Sequence, residues 1–161
     1  MELKIRKMGP SDIQQVQYVA KTSWNVTYKG IIPLEVQESF LTSAYNDEMM
    51  LRRLERSNVF VAELDEKIVG FANFSFVRED GQAELSAIYL YPEHQGKGIG
   101  SALLQEGIRN SQGVKEVYIN VEKDNEIGRR FYEAKKFEIV KEFDDNFDGH
   151  ILKTVRMVLK V

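Results

Sequence analysis

The run Ile88-Tyr89-Leu90-Tyr91-Pro92-Glu93-His94-Gln95-Gly96-Lys97-Gly98-Ile99-Gly100-Ser101 constrains the fold of this chain more than any other segment. An apolar β-type stretch stops at a proline, crosses a glycine-rich turn and enters the amphipathic segment Ile99–Asn110. Gly96, Gly98 and Gly100 strip side chains from the start of a helix, where unpaired backbone N–H groups and the positive end of the macrodipole gather. Such a helix start is a ready anion site, most naturally for phosphate. The adjoining strand offers an edge along which a phosphate-bearing ligand can lie.

The elements around this turn follow from periodicity. Leu3, Ile5 and Lys7 alternate with charged neighbours as a first strand, and Gly9-Pro10-Ser11-Asp12 reads as a turn and helix start. Ile13, Val16, Tyr18, Val19 and Ala20 continue at helical spacing to Ser23-Trp24. Pro33 opens a second helix with Leu34, Val36, Phe40 and Leu41 on its apolar face. Asn46-Asp47-Glu48 begins a third, carrying Met49, Met50, Leu51 and Leu54. Val59–Leu64, Ile68–Val77 and Glu84–Tyr91 then read as an antiparallel meander, turned by Asp65-Glu66-Lys67 and Glu79-Asp80-Gly81. Beyond helix 99–110, Gln112-Gly113 is a break, 117–121 a strand, and Asn125–Lys135 a further helix. Phe137–Phe143 and Ile151–Lys160 close the chain as strands around an acidic turn, Asp144–Gly149. Strands 85–91 and 117–121 flank a helix, so they are expected to run parallel through a right-handed crossover. One mixed sheet with helices on both faces accommodates this order.

Composition narrows the function. At 161 residues the chain is expected to form a single domain spanning 1–161, with a core that needs no staples. Its 22 basic and 25 acidic residues give a net charge of −3, and no dense Lys/Arg run marks a nucleic-acid binder. There is no cysteine, which excludes disulfides, thiolate catalysis and Cys-ligated zinc. His94 and His150 lie far apart and short of partners, so no metal site is expected. Met1-Glu2-Leu3-Lys4-Ile5-Arg6 has no apolar h-region, and no apolar stretch approaches the roughly 20 residues of a membrane span. The expectation is a cytoplasmic protein without membrane or nucleic-acid partners; a homodimer stays open as its assembly.

The glycine turn has a bland reading, a strand-to-helix connection whose glycines only permit tight geometry. A Rossmann dinucleotide site is its obvious rival. Gly96, Gly98 and Gly100 spell GxGxG, through which no GxGxxG can be drawn, although Glu122 lies about twenty residues on where that motif has its ribose-binding acid. The preceding meander also does not begin a βαβ unit. No GxxxxGK[ST] is present, which removes a P-loop.

Gln95-Gly96-Lys97-Gly98-Ile99-Gly100 resembles the [QR]-x-x-G-x-[GA] signature of the GNAT superfamily of N-acetyltransferases, with Leu90-Tyr91-Pro92 in place of its upstream V-x-P. The segment from Asn125 to Phe137 is similar to the family's N-x-x-A-x-x-F-Y-x-x-x-G-F, and the element order matches along essentially the whole chain. Trp24-Asn25-Val26-Thr27-Tyr28-Lys29-Gly30-Ile31-Ile32-Pro33 resembles the W-x-x-x-Y-x-G-x-x-P entry of its bacterial small-molecule members. Two positions depart from the pattern: Gly128 replaces Ala, and Lys136 stands where a helix-ending Gly is usual.

The resemblance implies a GNAT fold of the mixed α/β (α+β) class. Its central sheet of about seven strands is mostly antiparallel, with a splayed parallel pair. The implied activity is acetyl transfer from acetyl-CoA, a co-substrate, to a primary amine of a small molecule (polyamine-like, amino-acid-like or antibiotic), without a metal. A protein N-terminal or lysine acetyltransferase, or a CoA-binding sensor without turnover, is the alternative. Backbone N–H groups of Gln95, Gly96, Lys97, Gly98, Ile99, Gly100 and Ser101 would hold the pyrophosphate. The backbone of Ile88, Tyr89 and Leu90 would pair with pantetheine as an added strand, with the Leu90 N–H as oxyanion donor. Asn120 and Asn125 would contact the arm. Tyr132 would protonate the departing thiolate, and Glu84, eleven residues before Gln95, would be the general base. Trp24 and Tyr28 would wall the acceptor side. A solvated strand-start carboxylate is the competing reading for Glu84, a packed helix tyrosine for Tyr132, core packing for Trp24 and Tyr28, and a solvated hairpin for the cluster Glu142, Asp144, Asp145 and Asp148.

Overall fold

The computed structural model describes residues 2–161. Its elements run β1 (Leu3–Lys7), α1 (Ile13–Thr27), α2 (Leu34–Ala44), α3 (Asp47–Arg56), β2 (Ser57–Leu64), β3 (Lys67–Ser75), β4 (Gln82–Leu90), α4 (Ile99–Arg109), β5 (Glu116–Glu122), α5 (Glu126–Ala134), β6 (Glu138–Phe147) and β7 (His150–Lys160). They form one seven-stranded sheet in the order β1-β2-β3-β4-β5-β7-β6, antiparallel except for β4 beside β5. No helix among the described residues is long and apolar enough to cross a membrane.

Alternation along the strands sends apolar side chains to both faces. Phe60, Ala72 and Phe74, with Val117, Ile119 and Val121, face α4 and α5 and pack on Leu103, Leu104 and Tyr132. Val59, Val61 and Phe71 face the other way, onto Val16, Val19 and Ala20 of α1 and Met50 of α3. A third cluster joins Trp24, Tyr28 and Ile32 to Leu152 of β7, with Phe40 and Phe147 packed against it.

Two features of β4 position the site. Its register with β3 slips between Asn73↔Ala87 and Phe74↔Leu85, leaving Ser86 as a bulge. Its pairing with β5 covers only Gln82↔Glu116, Ala83↔Val117 and Glu84↔Tyr118. Beyond Glu84 the two parallel strands separate, as the expected splayed pair.

The chain's end differs from the sequence reading. Asp144–Phe147 is not turn but strand, and β6 and β7 pair from Glu138↔Val158 to Phe147↔His150 around the two residues Asp148 and Gly149. Both turn residues have positive φ, 50° and 82°, the type I′ geometry that Asp-Gly adopts most readily. The Asp-Gly pair was therefore the informative signal there, and the acidic residues around it were not.

Candidate active site

The gap between β4 and β5 opens into a cleft of about 510 Å³ bounded by the glycine turn, β5 and α5. Gly96 and Gly98 hold left-handed φ values of 75° and 82°, and Gly98 is the N-cap of α4. No atom lies within 4 Å of where a Cβ would sit on either, so their backbone is open to the cleft they line. Gly100 answers a different need, because a Cβ there would stand 3.2 Å from the Phe131 ring. The turn thus combines a bare main chain with the positive end of α4.

On the strand side, Tyr91 donates its N–H to Val69 O on β3 at 3.0 Å. N–H groups of successive strand residues point to opposite edges, so the main-chain groups of Leu90 and Ile88 face the side that β5 has vacated. The Ser23 hydroxyl donates to Leu90 O at 2.8 Å, which ties this edge to α1.

Tyr132 enters from α5, packed edge-on against Phe131 and Phe137 at centroid distances of 5.4 and 5.3 Å. Burial is the main cause, and the nearby Glu122 carboxylate a further one, that push its hydroxyl well above the ordinary phenol range. It is a neutral O–H donor at any working pH. Asn125 caps α5, its Oδ1 accepting the Gly128 N–H at 3.0 Å. A Cβ on residue 128 would meet the Asn125 amide at 2.7 Å, so the glycine gives this cap its room. Lys136, at φ 76°, takes the left-handed position that glycine usually fills.

The expected site residues divide in an informative way. Ile88, Tyr89 and Leu90, then Gln95, Gly96, Gly98, Gly100 and Ser101, all line the cleft. So do Asn120, Asn125, Tyr132 and Tyr28. Ile99 instead turns its side chain into the core, and Lys97 is exposed beside the cleft, off its lining. Trp24 lies off the cleft lining behind Tyr28, 5% exposed and stacked on Phe40 at 4.4 Å, with the Tyr28 ring 4.4 Å away. Glu84 stands outside the lining, and both its carboxylate oxygens accept from the Arg156 guanidinium at 2.9 Å. Arg156 also donates to Asn120 Oδ1 at 3.0 Å and covers the Tyr118 ring at 4.7 Å.

Glu122 is the site residue that sequence reasoning passed over, having met it only as a Rossmann look-alike. It ends β5 and lines the cleft. Desolvation raises its carboxyl above the ordinary value, although the Tyr28 hydroxyl and its own backbone N–H pull the other way. Tyr28 and Tyr89 share a hydroxyl–hydroxyl contact of 3.2 Å, and burial pushes both phenols well up. The alternation Tyr118-Asn120-Glu122 against Val117-Ile119-Val121 was the signal for it: three polar positions on the face away from α4 and α5.

The sequence model of the acetyltransferase (GNAT) family matches residues 24–137, from Trp24 through the glycine turn to the stop of the Tyr132 helix at Phe137. The chain belongs to the GNAT acetyltransferase family. It is 33% identical over 147 residues to the spermidine N(1)-acetyltransferase of Thermoplasma acidophilum, covering 86% of this chain and 90% of that protein. It is 35% identical over 151 residues to the N-acetyltransferase YuaI of Bacillus subtilis, covering 89% and 84%. Among solved structures, the PaiA N-acetyltransferase from Thermoplasma acidophilum in complex with coenzyme A superposes with a TM-score of 0.86 at 29% identity, over 100% of both chains. YncA from Salmonella typhimurium with acetyl-CoA has the same fold, with a TM-score of 0.71 at 21% identity over 99% and 94% of the two chains. This GNAT chain is an acyltransferase, and its cleft lies inside the matched segment.

Proposed function

We propose that this acetyltransferase moves the acetyl group of acetyl-CoA to a primary amine of a small molecule. One observation carries the reading: β4–β5 pairing stops at Glu84↔Tyr118 and the gap runs onto a left-handed glycine turn at a helix start. A diphosphate fits the bare main chain from Gln95 to Ser101, where side chains would block close approach. An amide-bearing arm fits the main-chain edge of Ile88 and Leu90, which lacks a strand on that side. Asn120 and Asn125 supply amide partners along the opposite wall.

Acetyl-CoA supplies the thioester, the electrophile of the reaction. The chain's own contributions are a donor at the Leu90 N–H for the carbonyl oxygen and a proton from the Tyr132 hydroxyl for the leaving sulfur. Tyr28 and Tyr89 bound the acceptor end with aromatic surface suited to an aliphatic amine or its cation. The relative named a spermidine N(1)-acetyltransferase places polyamines first in the panel to be tried.

Titration calorimetry with coenzyme A, followed by thiol release from acetyl-CoA across amines, peptide N-termini and lysine peptides, tests this. Heat with coenzyme A and thiol release with a small amine is the expected result. Coenzyme A binding with no thiol release from any acceptor would instead make the chain a sensor.

A further inference from the structure

Glu122 is the one carboxylate among the described residues that line the cleft, and no basic side chain pairs with it. Two other acids of the sheet are paired elsewhere, Glu84 with Arg156 and Glu142 with Lys123 at 3.2 Å. A half-buried acid without a counter-ion is a costly arrangement, and Lys135, the basic residue on the same lining, holds its ammonium over the Phe131 ring instead, 5.8 Å from the centroid. Phenols surround it: Tyr28 from the end of α1, Tyr89 from β4 and Tyr132 from α5, each within electrostatic reach. The exposed Asp145 of β6 adds a like charge that acts on it through space. Register explains that neighbour. Asp145 pairs with Leu152, and Leu152 and Thr154 share a face of β7, while Thr154 pairs with Glu122.

We infer that Glu122 is the acceptor subsite, binding a primary alkyl ammonium and removing the proton that must leave before the nitrogen can attack. This rests on the acetyl-transfer reading above. The ammonium passes one proton to the Glu122 carboxylate and becomes a free amine. Its lone pair forms the N–C bond to the acetyl carbon, and the C–S bond breaks with its electrons on sulfur. The Tyr132 hydroxyl protonates that sulfur, and the second nitrogen proton, lost as the amide forms, returns to the Tyr132 oxygen. Glu122 discharges its proton to solvent. A carboxyl with a raised pKa suits this task, because it holds a proton more readily near neutral pH than an ordinary glutamate.

The same charges define the acceptor class. An α-amino acid would set its carboxylate against Glu122 and Asp145. A diamine would bring one ammonium to Glu122 and leave a second within the field of Asp145. The structure therefore favours 1,4-diaminobutane over butylamine, and butylamine over alanine.

The experiment compares wild-type and Glu122→Gln full-length chains by thiol release with those three amines across pH 6 to 10, and by calorimetry with coenzyme A. Coenzyme A affinity should be unchanged, kcat with the diamine should fall on the order of 100-fold, and the activating limb should move toward the amine's own pKa. Glu122→Asp should recover part of the rate. Wild-type rate and pH profile in Glu122→Gln, or a parallel loss of coenzyme A binding, overturns the assignment while leaving acetyl transfer standing. Absence of thiol release from wild-type chain with every amine removes the acetyl-transfer reading itself.

Discussion

Tyr132 is held by its neighbours in sequence as much as by the fold. The Phe137 N–H donates to Tyr132 O at 3.0 Å and the Lys136 N–H to Glu133 O at 3.0 Å, the paired bonds of a Schellman stop. The Phe137 ring then packs on Tyr132, fixing a phenol that lines the cleft. Tyr132→Phe keeps these contacts and removes only the O–H. Thiol-release kinetics should show kcat down by about 100-fold or more, with coenzyme A affinity within about twofold by calorimetry. Glu84 has the opposite character. Its bidentate pair with Arg156, at 26% and 23% side-chain exposure, holds the strands where they begin to separate. Glu84→Gln leaves Arg156 a partner short, so denaturant unfolding should show a loss of about 1–2 kcal/mol. The pH–rate profile of that variant should match the wild type.

At the scale of the element, α5 ends on a residue whose conformation opposes its type. Lys136 sits at φ 76°, where a Cβ costs about 1–2 kcal/mol and glycine is at ease. Glycine also frees the unfolded chain, which offsets part of that gain. Lys136→Gly should therefore stabilise by about 0.5–1 kcal/mol, a rise of roughly 1–4 °C in Tm by calorimetric scanning. Its kcat should not change, because the stop it reinforces is already formed. Helix α4 shows the converse demand at Gly107, where a Cβ would fall 2.0 Å from the Phe74 ring. That glycine is a packing requirement and the ones at 96 and 98 are conformational, though nothing in their local sequence separates the two kinds.

Across the whole molecule, the Tyr28 end of the cleft is assembled from distant segments. Trp24 of α1 stacks on Phe40 of α2, and Phe147, from the far hairpin, packs on both at 5.9 and 5.0 Å. This cluster backs Tyr28, the wall nearest Glu122. Phe147→Ala should loosen that end without touching the glycine turn. We expect about 1–3 kcal/mol of lost stability, less than for a fully buried ring, with a raised KM for the amine and unchanged coenzyme A affinity. Chemical denaturation and initial-rate kinetics check both.

Much of this architecture was legible in the chain because it follows from local rules. Period-2 and period-3.6 patterns placed the strands and helices, and Gly96, Gly98 and Gly100 marked the helix start. The aromatic pair in Phe131-Tyr132 marked the helix opposite. These signals act within a turn or two of the backbone, so they survive without neighbours. What the sequence could not decide was which charges meet. Strand register gave Glu84 to Arg156, 72 residues away, and split the acidic cluster, pairing Asp145 with Leu152 in the hairpin and leaving Glu142 to Lys123. It also left Glu122 unpaired beneath three phenols. Pairing across a sheet depends on which strands become neighbours and in what register, a property of the closed fold that no local stretch encodes.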